Sequence, residues 1–438
     1  MSDKVISIPS IPAVLIPLLI LLCTVFGPGL LNVAPAPYIS IAMSLGYLDR
    51  LGPCSWAAVF PNLYLFACIA VGTGIAYAGM LQADDWDNAL LGTPFLIGLG
   101  VALVEMIPLW VHLVWQRRFL PQDSRFQNGA WALLGTLVAP TVWVALFTLV
   151  YAVSPIGSYG SIAYTQFQLE PIVQWSSVAG IGGIEFLMVW SSVIIYRSWI
   201  RYVRLDAVEE AESKPLNQPS DVKTHHHRSR LLSRIAFAPT PTFLIVSLFV
   251  YLYGSMRFWN GTGTFYMKPL RETMLPTVKA GCVIGSSHVN DMTSYLNQTI
   301  KLAKEGSKIV IWSESAVHMR NAQMLNDFWV TAKNISTTYG IYLGVTYSEY
   351  DEDKNLIDNK NMFTLFDPKG KVSFEYQKAH PVTMVETTVI AGPNKLPVVD
   401  SDFGRLGGAI CFDMDFHNFI AQAGDQKVDI LLQPSWTW

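Results

Sequence analysis

The sequence predicts a multi-span α-helical membrane domain over residues 1–257, followed by an α/β domain over residues 258–438. Of the 438 residues, 51% are hydrophobic and only 14% are charged, against roughly 25% charged in a typical soluble protein. Charged residues are sparse before residue 200 and common after residue 265. The first half is therefore a series of long apolar segments, whereas the second alternates β-branched runs with polar helical stretches. These observations indicate two units of different class.

About seven apolar segments of the first half are long enough to cross a membrane. A spanning helix needs about 20 apolar residues, because the hydrocarbon core is about 30 Å thick. No charged side chain lies between Lys4 and Asp49, which leaves room for two spans separated at Pro28 and Gly29. The remaining predicted spans lie within residues 51–83, 89–115, 130–152, 171–196 and 236–256.

The basic residues of the loops predict the orientation of these spans, since cytoplasmic loops are enriched in Lys and Arg. Arginines follow the second, fourth and sixth spans, and residues 200–235 form a basic cytoplasmic loop. Loops 80–88 and 153–170 contain no Lys or Arg. The last predicted span then delivers the α/β domain to the extracytoplasmic or lumenal side, in the endoplasmic reticulum or plasma membrane. Glycosylation sequons agree, since they all lie in that final segment, at Asn260, Asn297 and Asn334.

Few polar groups of the first half indicate a ligand. Glu105 and Glu185 fall inside predicted spans, where an ionisable residue faces the bundle interior or water. Glu185 is the candidate for an intramembrane function, and a hydrogen-bonded structural role is its alternative. His225, His226 and His227 lie in the polar linker and are interpreted as solvated rather than metal-binding. The cysteines lack zinc-site spacing, and a net charge of −3 provides no basic surface for nucleic acid. We predict no metal and no cofactor.

The second half has the pattern of a layered α/β domain. The short apolar, β-branched run TVKAGCVIG (277–285) begins this pattern. Strands are predicted at KIVIW (308–312) and YGIYLGVTY (339–347), with helices over residues 292–305 and 321–338. Two further strands are predicted in MFTLFDPKGKVSFEY, around a Pro-Lys-Gly turn. The last two, with a helix between them, are predicted in RLGGAICFD and KVDILLQPS. Alternating strands and helices are typical of layered α/β domains.

Three side chains of complementary chemistry lie at or beside the ends of predicted strands. Glu314 follows KIVIW, Lys378 follows VSFEY and Cys411 follows RLGGAI, and sites in α/β sheets usually lie at strand ends. Nucleophilic acyl chemistry requires such a set: the thiol attacks a carbonyl, the carboxylate takes its proton and the ammonium stabilises the oxyanion. We expect the cation and the carboxylate to lower the thiol pKa. Taken separately, the same residues are typical of a surface Glu, a surface Lys and a buried Cys.

The strings around these residues resemble the signature regions of the nitrilase (carbon–nitrogen hydrolase) superfamily. They are IVIWSESA, YQKAHPVTMVE and GGAICFDMDF, in the order that the superfamily has them. The resemblance implies a nitrilase-type four-layer α–β–β–α sandwich. It also implies that Glu314 is the general base, Lys378 the oxyanion stabiliser and Cys411 the nucleophile.

Within the superfamily, the chain resembles apolipoprotein N-acyltransferase. Residues 158–187 are similar to the span that precedes the catalytic domain in that family, and KAHPVTMVE resembles its K-x-H-L-V-P-F-G-E. The resemblance implies that Glu386 is an auxiliary active-site carboxylate. Asn361 resembles an Asn that often precedes the strand pair there.

The chain also departs from that family. The usual Cys-Tyr-Glu is CFD at residues 411–413, so Asp413 is expected to be a second auxiliary carboxylate. The pattern C-F-D-x-x-F, ending at Phe416, looks more like secreted amidases of the pantetheinase and biotinidase group. TMV at 383–385 replaces Pro-Phe-Gly, which predicts a different acyl chain or acceptor. The resemblance implies further sandwich strands, a helix and a membrane span beyond Trp438, so we expect a C-terminally truncated chain with an incomplete sandwich.

The predicted function is membrane-bound N-acyl transfer, similar to lipoprotein N-acylation. Cys411 would form a thioester with the acyl chain of a membrane phospholipid and pass that chain to an amine on a protein or a small molecule. One alternative is a membrane-tethered amidase, in which water releases the acyl-enzyme. The other is a non-enzymatic membrane scaffold or transporter with a decayed domain. The membrane half favours the transferase, whereas the C-F-D motif favours the amidase.

Overall fold

The computed structural model describes residues 14–28, 32–51, 58–78, 88–119, 130–212, 239–262, 277–285, 291–350, 359–382 and 386–436. Two compact units divide the chain. The first contains Met1–Leu149 and Gly160–Phe265, and the second contains Val150–Tyr159 and Tyr266–Trp438. The predicted order of a helical membrane part followed by an α/β part is confirmed.

Most helices of the membrane part contain a long apolar segment. The helices are α1 (Leu15–Val25), α2 (Ala36–Leu51), α3 (Val59–Ala78), α4 (Asn88–Phe119), α5 (Ala130–Val153), α6 (Glu170–Val173), α7 (Ser176–Glu212) and α8 (Pro239–Thr262). Within the described residues, five segments are long and apolar enough to cross a membrane: Val59–Tyr77, Pro94–Phe119, Trp131–Val153, Ser176–Ile200 and Pro239–Arg257. These helices support a multi-pass membrane protein.

The two predicted spans before residue 50 are shorter in the structure than a bilayer requires. Helix α1 has 11 residues and α2 has 16, against about 20 for a spanning helix. Seven spans therefore remain a prediction, of which five have helices of sufficient length in the described part of the chain. The basic loop predicted near 200–235 lies largely outside the described residues, as do His225, His226 and His227.

Hydrogen bonds within the first unit bring together the loops that were predicted to share a side of the membrane. At one end, the Arg117 guanidinium at the end of α4 donates to Asp49 Oδ1 near the end of α2, at 3.0 Å. At the other end, Asn32 Nδ2 donates to the Tyr164 carbonyl at 3.1 Å, and Gln166 Nε2 donates to the Ala34 carbonyl at 3.0 Å. The connection before α2 therefore lies beside the uncharged loop that follows α5.

The first sheet of the second unit combines parallel and antiparallel pairs. Its strands are β1 (Ala280–Val283), β2 (Ile309–Trp312), β3 (Val317–Met319), β4 (Tyr342–Tyr350), β5 (Asn359–Phe366) and β6 (Val372–Gln377). Their order is β1-β2-β4-β5-β6, with β3 paired to β4. Strands β1, β2 and β4 are parallel, whereas β4–β5 and β5–β6 are antiparallel. Strand β6 therefore runs in the same direction as β2, and the carboxyl ends of both strands lie at the same end of the sheet.

A smaller sheet and three helices complete the described part of the second unit. The sheet contains β7 (Val398–Ser401), β8 (Gly404–Gly408) and β9 (Ile430–Leu432), with β7 antiparallel and β9 parallel to β8. The helices are α9 (Met292–Lys304), α10 (Ala322–Tyr339) and α11 (His417–Asp425). Every strand and helix predicted in this half is present, whereas β3 and β7 were not predicted.

Alternation along the strands produces two hydrophobic clusters, one on each face of the first sheet. Val310 and Trp312 of β2 belong to the cluster that contains Phe328 of α10. Ile309 belongs to the other cluster, together with Leu406 and Leu432 of the smaller sheet. Since successive side chains of a strand point to opposite faces, β2 binds helices on one face and the second sheet on the other. These are the α, β and β layers of the predicted sandwich.

Candidate active site

Strand direction and sheet pairing bring Glu314, Lys378 and Cys411 to one region. Glu314 follows the carboxyl end of β2, and Lys378 directly follows the carboxyl end of β6. Both therefore lie at the same end of the sheet. Cys411 begins a 3-10 turn, Cys411–Asp415, two residues beyond β8. The turn is joined to the strand region of Glu314 through the segment after β9, because Cys411 N donates to the Pro434 carbonyl at 2.8 Å and Trp436 N donates to Glu314 Oε2 at 3.0 Å.

A buried ion cluster forms around Lys378. Its Nζ lies 2.8 Å from Glu314 Oε1 and 2.5 Å from Glu386 Oε2, and the side chain is 1% exposed. Asn361 Nδ2 also contacts both carboxylates, donating to Glu314 Oε1 at 2.9 Å and to Glu386 Oε1 at 3.1 Å. Val382 N donates to Glu386 Oε2 at 2.7 Å. Buried charges are stable only when paired and hydrogen-bonded, and this cluster meets that condition.

Lys378 is held as a cation. Burial alone would lower the pKa of its ammonium, but the charges of Glu314 and Glu386 and their hydrogen bonds raise the pKa above its usual value. An opposite charge within hydrogen-bond distance favours the ionised form. Lys378 is therefore a fixed positive charge, suited to stabilising an oxyanion rather than to exchanging a proton.

The backbone of Cys411 is strained. Its φ is +44°, in the left-handed region that residues other than glycine rarely adopt, at a cost of about 1–3 kcal/mol. Gln433 Nε2 donates to the Cys411 carbonyl at 3.0 Å, and the Sγ lies 3.9 Å from the Trp436 carbonyl oxygen. Strain of this kind persists where surrounding contacts over-determine the conformation, which is common at functional sites.

The expectation of a low thiol pKa is wrong. Burial, together with the charge and hydrogen bond of Glu314, raises the pKa of Cys411 to about 12, and the charge of Lys378 and the backbone of Trp436 offset this only in part. Two carboxylates face one ammonium here, so the surroundings oppose a third anion. Cys411 is therefore a neutral thiol at neutral pH.

Asp413 ties the Cys411 turn to the Lys378 strand. Its Oδ2 accepts from Tyr376 Oη at 2.7 Å and from Ile410 N at 2.9 Å. Its Oδ1 accepts from His380 N at 2.8 Å and lies 3.0 Å from His380 Nδ1. The side chain is fully buried, and these contacts span both segments. Asp413 thus stabilises the relative position of the two segments. Of the two predicted auxiliary carboxylates, Glu386 is the one that contacts Lys378.

Glu185 belongs to the first unit, whereas the three candidate catalytic residues belong to the second. Its Oε1 accepts a 2.5 Å hydrogen bond from Ser161 Oγ, and both side chains are buried. This contact fits the structural alternative, and an intramembrane function of Glu185 remains a prediction. No group of three or more metal-ligating side chains occurs among the described residues.

Several residues of the site could not be assigned a role from the sequence. The bridging amide of Asn361 was noted only as a likeness, and Tyr376, His380 and Trp436 were not singled out. The donor after β9 is a backbone N–H, which a side-chain pattern does not reveal. Tyr376 and His380, which contact Asp413, lie in the quoted string YQKAHPVTMVE, and this string was the available signal for those contacts.

Comparison with known proteins finds a family model that matches the second half. Residues 280–438 match the family model described as Carbon-nitrogen hydrolase. Deaminated glutathione amidase of Dictyostelium discoideum is 33% identical over 94 residues, which are 19% of this chain and 32% of that protein. Apolipoprotein N-acyltransferase of Geobacter metallireducens is 26% identical over 165 residues, which are 34% of this chain and 29% of that protein. The chain thus spans about a third of the length of these relatives.

Among solved structures, an amidase from Nesterenkonia sp. is similar to part of the chain, with a TM-score of 0.31 and 14% identity. The likeness covers 37% of this chain and 67% of the amidase.

Proposed function

We propose that the carbon–nitrogen hydrolase domain formed by residues 280–438 transfers acyl chains from membrane phospholipids to amines through Cys411. The observation that carries this proposal is the buried cluster in which Lys378 Nζ contacts Glu314 at 2.8 Å, beside a thiol whose pKa responds to both charges. These groups supply a nucleophile, a base and an oxyanion stabiliser within one buried site.

The first half-reaction acylates the thiol. Cys411 Sγ attacks the ester carbonyl carbon of a phospholipid while Glu314 takes the thiol proton, and the tetrahedral oxyanion forms near the Lys378 ammonium. The carbon–oxygen bond to the glycerol then breaks. The lysophospholipid alkoxide leaves with the proton held by Glu314, and Cys411 remains as a thioester.

The second half-reaction transfers the chain. A neutral amine attacks the thioester carbonyl and gives a proton to Glu314, and Lys378 again faces the oxyanion. The carbon–sulfur bond breaks, the amide departs, and the Cys411 sulfur regains its proton from Glu314. The scheme needs a base because the thiol pKa is raised. A thiol that is neutral at rest requires proton transfer in each half-reaction.

The membrane helices support the transferase over the amidase. A two-chain lipid stays in its bilayer, so an enzyme that uses it benefits from membrane anchoring, and five described segments are long and apolar enough to provide this. Similarity to apolipoprotein N-acyltransferase agrees. The amidase alternative is supported by the CFD sequence at residues 411–413 and by the similarity to deaminated glutathione amidase.

Products distinguish these functions. The purified chain in vesicles of acyl-labelled phosphatidylglycerol, given a primary amine, is expected to form lysophospholipid and labelled amide in equal amounts. Cys411→Ala should abolish both products, whereas Cys282→Ala should retain them because Cys282 is an exposed cysteine of β1. Labelled free fatty acid without amide would indicate that water is the acceptor and would contradict the transferase. Absence of any turnover with Cys411 intact would contradict both enzymatic proposals.

We further propose that the domain lies on the extracytoplasmic or lumenal side. The Arg117–Asp49 ion pair joins the ends of α4 and α2, which also carry Arg118 and Arg50, and this supports the assignment of that end to the cytoplasm. Asn297 and Asn334 are exposed on α9 and α10. In a eukaryotic membrane system, N-glycosidase is therefore expected to reduce the mass of the chain, and Asn297→Gln with Asn334→Gln should reduce that shift. A chain that carries no glycan at any sequon would argue for the opposite orientation.

A further inference from the structure

A segment outside the matched family region contacts the turn that carries Cys411. Residues Val150–Tyr159, which include the end of α5, group with the second unit, although the family match begins at residue 280. Ser158 N donates to the Asp415 carbonyl at 2.8 Å. The Tyr159 ring lies 6.0 Å from the Phe412 ring at an interplanar angle of 57°, within the range of favourable aromatic pairs.

Gly157 permits this close approach. Its φ is +56°, and a Cβ added there would overlap the Asp415 carbonyl oxygen and lie 2.9 Å from the carbonyl carbon. Both the backbone conformation and the lack of a side chain therefore require glycine. The backbone of residue 157 packs directly on the last residue of the Cys411–Asp415 turn.

We infer that Gly157, Ser158 and Tyr159 are positioning residues that hold the Cys411 turn in its reactive conformation. The inference rests on the proposed function, because it takes Cys411 as the reacting group. Cys411 has a φ of +44°, and such strain needs support from surrounding contacts. Pro434 accepts the Cys411 N–H at the start of the turn, and the 157–159 segment binds its end.

Asp413 supports the middle of the turn from within residues 280–438, and the 157–159 segment adds contacts at Phe412 and Asp415. The segment is the direct continuation of α5, which contains the membrane-length helix Trp131–Val153. Reactivity of Cys411 thus depends on a chain segment delivered by an apolar helix rather than on residues 280–438 alone.

The test compares Gly157→Ala with Gly340→Ala in the full chain. Gly340 has a φ of +59°, close to that of Gly157, but a Cβ there meets nothing within 4 Å. Both variants therefore carry similar backbone strain, and only the first displaces the Cys411 turn. Alkylation of Cys411 by iodoacetamide, followed from pH 6 to 10 by the mass of the peptide that contains residue 411, reports the setting of the thiol.

In the wild type, alkylation of Cys411 should still rise at pH 10, because burial and Glu314 oppose the thiolate while Lys378 favours it only in part. Gly157→Ala should move the thiol away from Glu314, so that alkylation at pH 7.5 becomes at least about tenfold faster and levels off at lower pH. Acyl transfer should become about 10- to 100-fold slower in kcat, with KM little changed. Gly340→Ala should leave the pH profile and kcat as in the wild type.

A second pair keeps the test valid if Gly157→Ala does not fold. Tyr159→Ala removes the ring beside Phe412 and should change the alkylation profile in the same direction, whereas Tyr159→Phe retains the ring and should change it less. A folded Gly157→Ala or Tyr159→Ala chain with the wild-type profile would overturn the inference. Equal effects of Gly157→Ala and Gly340→Ala would overturn it too, as general destabilisation. A wild-type Cys411 that titrates as a free thiol would instead contradict the proposed function.

Discussion

Glu314→Gln is expected to slow acyl transfer by about 100-fold or more while making Cys411 easier to ionise. The carboxylate is the proposed base for the thiol proton, so its loss removes proton transfer from both half-reactions. The same carboxylate raises the thiol pKa by its charge and by a hydrogen bond. A neutral amide should therefore lower the pH at which Cys411 is alkylated, although catalysis is lost.

The opposed changes make this variant informative. Acyl transfer is measured by amide formation, and thiol ionisation by the pH dependence of alkylation of the peptide that contains residue 411. Glu349→Gln is the matched control, because Glu349 pairs with Lys360 at the surface and leaves the cluster intact. Retained transfer in Glu314→Gln, or an unchanged alkylation profile, would show that Glu314 is not the base beside the thiol.

Lys378→Met is expected to be the most destabilising single change in the site. Lys378 is 1% exposed and lies within 2.8 Å of two carboxylates, so its removal leaves buried charge without a cation. Loss of one partner of a buried ion pair typically costs about 3–5 kcal/mol. The free energy of unfolding of the second unit should fall by an amount of this order, and acyl transfer should be lost with the oxyanion stabiliser.

A double variant separates stability from catalysis. Lys378→Met with Glu386→Gln removes one of the carboxylates and should recover part of the lost stability without recovering acyl transfer. Lys369→Met replaces an exposed lysine of the β5–β6 turn, at the other end of β6, and should change stability by no more than about 0.5 kcal/mol. A Lys378→Met chain as stable as Lys369→Met would mean that the cluster does not carry the charges assigned to it. Denaturant unfolding followed by tryptophan fluorescence provides the comparison.

Much of the α/β half could be predicted because its strands obey local rules. KIVIW and the segments around the Pro-Lys-Gly turn are short apolar runs with clear boundaries, and β2, β5 and β6 form there. Strands β3 and β7 contain only three and four residues. The equally short β2 and β9 are the apolar runs IVIW and ILL, whereas β3 and β7 are VHM and VVDS. Polar residues interrupt the apolar run in β3 and β7, so pairing with a neighbour decides their conformation.

The candidate site could be predicted in its members but not in its electrostatics. Residue types and their order along the chain indicated Glu314, Lys378 and Cys411. The sign of the thiol pKa shift depends on burial and on the excess of carboxylates over cations, which only the packed structure contains. For the same reason, the amide of Asn361 became part of the site only when its two carboxylate contacts were seen.

The requirement for glycine at residue 157 could not be predicted from the local sequence. Glycine in a polar loop is compatible with any turn, and its partner Asp415 lies far along the chain. Distance in sequence therefore concealed a steric requirement that the structure makes plain.

The most direct measurement is the mass of the peptide that contains residue 411 after the chain has been incubated in phospholipid vesicles without an amine. We expect a single acyl chain on Cys411 that hydroxylamine removes, with an equal amount of lysophospholipid released, and neither in Cys411→Ala. An unmodified Cys411 in a folded chain, with lysophospholipid absent, would contradict acyl transfer through this thiol.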